Sequence, residues 1–149
     1  MQKAKILAAI IVLSSASLGA LQTAHPGVKL LENLNALFDR MSEGQISESE
    51  GTAALDKLMD QAAALRESGR LEAAFMKRFH RLLLVLRLSF ITDRKGILRP
   101  LVDREFGSFV KDATGKTYDP EAGATQQIAL FAEAVNAEIL SLYGTVREK

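Results

Sequence analysis

Oxygen-bearing side chains are concentrated in one short stretch, 39–50, which opens on Asp39, bends at Gly44, carries Ile46 two residues later and closes on Glu50. Carboxylates gathered around a bend serve hard cations, which take about six to eight oxygens at roughly 2.3–2.6 Å. Other reactive residue types are sparse. There is no cysteine, which removes disulfides, thiol nucleophiles and thiolate metal sites together. The two histidines, His25 and His80, stand neither four residues apart nor beside an obvious nucleophile, so zinc and triad chemistry have no support. Gly115, Lys116 and Thr117 end like a phosphate-binding loop. That loop needs an earlier glycine where Val110 stands, and a strand before it, so the match is rejected. No carboxylate pair is marked for general acid–base work.

The 39–50 stretch resembles the calcium loop of the EF-hand family in its acidic start, its glycine, the isoleucine after it and its closing glutamate. The flanks are similar too, with Phe38 before the loop and Ala53, Ala54 and Leu55 after it. By this resemblance, Asp39, Glu43, the carbonyl of Gln45, Ser47 and bidentate Glu50 would hold a calcium ion, the one cofactor the sequence suggests. The stretch departs from the pattern at Met41, where the family places a second oxygen ligand, and at Glu43, which replaces a shorter side chain. A second reading uses the same residues without metal. Gly44 then ends one helix, Ser47 and Glu50 form a capping box for the next, and Ile46 packs between them.

These residues need helices to position them, and the apolar spacing supplies helices throughout. Pro26 and Gly27 open a first one, whose Leu30, Leu31, Leu34, Leu37, Phe38 and Met41 recur every three or four residues. A second runs from Ser47 towards Gly69, with Leu55, Leu58, Met59, Ala62 and Leu65 on one face. A third covers about 71–91. Phe75, Phe79, Leu82, Leu83, Leu86 and Phe90 form its face, while Leu84, Val85, Leu88 and Ile91 fill the other sides of its second half. A helix apolar nearly all round is expected at the centre of a bundle. Arg87 is the only charge in that half. Either it pairs with a carboxylate, for which Glu138 is the candidate, or it reaches water along its own stem. Pro100 opens a short helix with Leu101, Val102, Phe106, Phe109 and Val110. A loop spans 113–123, and Asp119 followed by Pro120 starts a last helix lined by Ile128, Phe131, Val135, Ile139 and Leu142. The fold class expected is all-α, a compact bundle of four to five helices after an N-terminal export segment.

The export segment rests on Lys3 and Lys5, the apolar run 6–13 and the small residues 14–20, the order of a signal peptide. Residues 1–20 are expected to be a signal peptide or a short membrane anchor, and 21–149 a single helical domain. An uncharged run of 16 residues, 6–21, rises about 24 Å as a helix, short of a hydrocarbon core of about 30 Å. The chain is therefore expected to be periplasmic or secreted, touching membrane only through that segment if it is uncleaved.

Charge is segregated along the sequence. Between 32 and 60 there are seven acidic and two basic residues, and between 77 and 104 eight basic and two acidic. The two halves are expected to attract each other within one fold. The formal net charge of +1 argues against nucleic acid as a partner. A basic side formed by Lys77, Arg78 and Arg81 could also meet an acidic partner or anionic headgroups. The functional expectation is a non-catalytic protein-interaction or envelope-structural module, with an unidentified protein partner or self-association. The alternative is weak calcium binding at 39–50.

Overall fold

A computed structural model describes residues 25–91 and 99–147, and the export-segment reading of residues 1–20 lies outside them. Five helices account for most of the described residues: α1 (Pro26–Ser42), α2 (Glu48–Glu67), α3 (Ala73–Ile91), α4 (Arg99–Thr114) and α5 (Ala124–Arg147). The all-α bundle expected from periodicity is the one observed, with no strand among the described residues. None of these helices is long and apolar enough to cross a membrane.

Pro26 occupies the first turn of α1, where its missing N–H costs nothing, and His25 caps that turn by accepting the Gly27 N–H at Nδ1, 2.9 Å away. Gly27 is where three elements meet. A Cβ there would lie 3.0 Å from both His25 Nδ1 and Val146 and 3.1 Å from Phe75, so the absence of a side chain lets α1, α3 and α5 approach. Val146 beside Gly27 and Phe131 beside Phe38, with ring centroids 6.5 Å apart, fix α1 antiparallel to α5.

Helices α1, α2, α3 and α5 touch in a closed ring, α1 on α2, α2 on α3, α3 on α5 and α5 back on α1. Helix α4 lies against α3 and α5. Its Phe106 stacks on Phe131 with centroids 4.8 Å apart, and Tyr118 from the following loop meets Phe106 edge-on. Phe79, Leu82 and Leu86 of α3, Leu34 of α1 and Val135 and Leu142 of α5 are fully enclosed. Each such side chain contributes roughly 1.5–3 kcal/mol by leaving water.

Four expectations change. Helix α4 is not short: it continues through Ala113 to Thr114 and ends where Gly115 takes a φ of +76°. Asp119 and Pro120 do not start α5. Asp119 Oδ1 accepts from the Glu121 N–H and its carbonyl accepts from the Ala122 N–H, a local turn that ends before Ala124. Ile128, assigned to the buried face, is 52% exposed because the register places it level with the end of α1. Leu84 is likewise 42% exposed, so α3 is enclosed on three sides and open on the fourth.

Candidate functional site

The residues of the 39–50 stretch form a corner between α1 and α2. Helix α1 runs through Asp39 to Ser42, Glu43 caps its end, and Gly44 reverses the chain with a φ of +70°. Ser47 then caps α2. Its hydroxyl accepts the Glu50 N–H at 3.1 Å, while Glu50 Oε1 accepts the Ser47 N–H at 3.0 Å, a complete capping box. The Ser47 backbone N–H, and after it the Ser47 hydroxyl, hold the Glu50 carboxyl below its ordinary value of 4.5. Glu43 Oε2 accepts from the Gln45 side-chain amide at 2.6 Å. Of the side chains that the resemblance gives to calcium, Glu43, Ser47 and Glu50 are turned to local partners here, and Asp39 lies on helical backbone. Among the described residues no three His, Cys, Asp or Glu side chains are grouped to hold a metal ion.

The pair proposed for Arg87 also changes. Arg87 takes Asp56 of α2, not Glu138, and its side chain stays 42% exposed. Glu138 is taken by Arg78, about two and a half α3 turns closer to that helix's start, through Nε at 3.1 Å and Nη2 at 2.8 Å, and Arg78 Nη2 also reaches Ser141 Oγ at 2.7 Å. Rotation about the α3 axis decides this. The face carrying Arg78 looks at α5, whereas Arg87 emerges beside α2. The two-point bond to Glu138 raises the Arg78 pKa above its usual value. The fork geometry fixes the α3–α5 register as well as adding charge attraction.

One turn further on, Arg81 donates to Asp112 Oδ2 at 2.6 Å and Ser108 Oγ at 2.9 Å on α4. Its guanidinium carbon stands 5.7 Å from the centre of the Phe109 ring. Arg78 and Arg81 thus tie α3 to α5 and to α4, and between them opens a groove of about 670 Å³. Ala74, Phe109 and Ala113 supply its apolar lining, and Lys77, Arg78, Arg81, Asp112 and Glu138 its charges. Lys77 is exposed and has no carboxylate partner among the described residues. The groove therefore carries three cations against two carboxylates, with the surplus on Lys77.

Sequence reading identifies the Lys77, Arg78 and Arg81 side of α3 but not the groove. Asp112 lies 31 residues from Arg81 and Glu138 lies 60 from Arg78, and no local pattern links them. Among the described residues Asp56 with Arg87 joins the acidic and basic segments, while Arg78 and Arg81 take carboxylates from outside 32–60. Lys116 reaches Glu133 at 2.9 Å and so has a structural partner at the helix end where a phosphate loop was rejected. His80 is exposed, as its place on the basic side suggests. Comparison with known proteins gives no matching family, no matching characterised protein and no matching solved structure.

Proposed function

We propose that this chain is a non-catalytic helical binding module whose working surface is the groove between α3, α4 and α5. The observation that supports this is one surface that combines small apolar side chains, Ala74 and Ala113, with an exposed cation, Lys77, that has no carboxylate partner among the described residues. An acidic protein segment with an apolar side chain matches both features. Its carboxylates meet Lys77 and the outer edges of Arg78 and Arg81, and its apolar group covers Ala74 and Ala113. Arg78 and Arg81 arrive already oriented by Glu138 and Asp112, so little side-chain entropy is lost on binding. The leader-like composition of residues 1–20 supports placing this module on the export route, as an interaction or structural component of the envelope.

The test is fluorescence polarisation with a labelled peptide bearing three glutamates and one phenylalanine, against a control with lysines in place of the glutamates. Saturable binding of the acidic peptide is expected, falling about tenfold in Lys77→Glu and again when salt rises from about 50 to about 500 mM. Equal binding of the control peptide, or binding unaffected by Lys77→Glu, would remove the groove from consideration.

A further inference from the structure

The acidic stretch 32–60 holds two basic residues, Arg40 and Lys57, among its seven carboxylates. The fold brings these two cations to one place. Asn33, Ala36, Leu37 and Arg40 share one side of α1 at three- and four-residue spacing, and Ala54, Lys57, Leu58 and Gln61 share one side of α2 in the same way. Together these residues line a groove of about 330 Å³ between the two helices. None of the seven carboxylates lines it.

Arg40 and Lys57 stand on opposite walls, and both are exposed. Counted along each helix from the corner, Arg40 comes first, Ala36 and Ala54 next, and Lys57 after them. The two alanines are too short to fill the space between the long cationic side chains. Asn33, half-buried, and Gln61, exposed, add amide donors to the same groove. Leu37 and Leu58 are buried beneath it, so charges there have water on one side only and are screened less. Neither cation has a carboxylate partner among the described residues. Glu50 feels the charge of Arg40, but its Oε1 is engaged by the Ser47 N–H and it does not line the groove.

We propose that this α1–α2 groove binds a phosphate group, free or carried by a small organic monoester. It shares no lining residue with the groove between α3, α4 and α5, so the two sites stand or fall separately. Cations on facing walls suit an anion held between them. A tetrahedral phosphate presents oxygens to both walls and to an amide at once, whereas a planar carboxylate offers two oxygens in one plane. Arg40 supplies paired N–H donors, Lys57 adds a compact point charge, and Asn33 and Gln61 take the remaining oxygens. The organic part of an ester rests on Ala36 and Ala54, which are exposed and half-buried respectively.

An NMR titration of the isotope-labelled full chain tests this, at fixed pH and ionic strength, with chloride exchanged for inorganic phosphate in one arm and for phenyl phosphate in another. Saturable shifts of the Asn33 and Gln61 side-chain amide signals are expected with phosphate. Tighter binding of phenyl phosphate supports a monoester as the occupant, and equal or weaker binding supports the free anion. Arg40→Gln and Lys57→Gln are each expected to weaken binding about tenfold, the loss of one charge-assisted contact. Ala36→Glu keeps a good helix former and is expected to abolish binding by setting a carboxylate between the two cations. All three variants are expected to keep the helical circular dichroism spectrum of the wild type. Shifts that fail to saturate overturn the proposal, as does wild-type affinity in both Arg40→Gln and Lys57→Gln, or in Ala36→Glu. Lys77→Glu is expected to bind phosphate like the wild type; loss of binding there also overturns the proposal, by placing the anion in the other groove.

Discussion

Ser47 and Glu50 show how local hydrogen bonds claim residues that composition alone would offer to a metal. The box satisfies two N–H groups that α2 would otherwise leave bare, and Ser47→Ala is expected to cost about 1 kcal/mol in urea unfolding. Glu50 adds a pH signature. Its carboxyl is held below 4.5 in the folded chain, so it contributes stability that is present above that pH and is lost as pH falls through the lowered value. Glu50→Gln keeps a side chain able to accept the Ser47 N–H but cannot titrate, and a flatter stability profile on the acid side is expected for it. With these oxygens engaged locally, millimolar calcium is expected to leave the melting temperature unchanged. A rise that Glu50→Gln abolishes would instead place an ion at the corner.

Helices α1 and α5 are joined by a face that is only partly apolar. Their register, set by Gly27 against Val146 and Phe38 against Phe131, brings Asn35 level with Asn136. Both are buried, at 2% and 3% exposure, and Asn136 has no side-chain hydrogen-bond partner among the described residues. A buried amide without a partner costs about 1–3 kcal/mol. Replacing both asparagines with leucine is expected to raise the unfolding free energy by about that amount, measured by chemical denaturation. A loss of stability would show that these amides are paired in solution. Periodicity assigned both helices, but not these two residues, because a single polar position does not disturb an apolar stripe. Helix α3 shows the complementary limit: its second half is apolar on every side, yet Leu84 remains exposed because three neighbours cannot enclose four faces.

Across the whole molecule one core runs through all five helices, with Phe79 at its centre and stacked on Phe75 at a centroid distance of 5.7 Å. Phe79→Ala is expected to cost about 3–5 kcal/mol while the melt stays a single transition, followed by circular dichroism. Two separate transitions would mean that α4 and the ring of the other four helices unfold independently. The charge pattern also acts at this scale. Segregated acidic and basic segments suggested mutual neutralisation, and among the described residues Asp56 with Arg87 joins them, while Arg78 and Arg81 take carboxylates of α5 and α4 instead.

The sequence by itself determined the all-α class, the approximate extent of α1, α2 and α3, the capping box at the corner and most of the core. Each of these depends on neighbours within a turn or two, which hydrophobic spacing and capping chemistry report directly. Only the tertiary structure decided that Arg87 meets Asp56, that Glu138 meets Arg78, and that Lys77 lines a groove with Arg78 and Arg81. Those outcomes depend on how far each helix is rotated about its axis and slid along its neighbour, and these are set by the sum of many distant contacts.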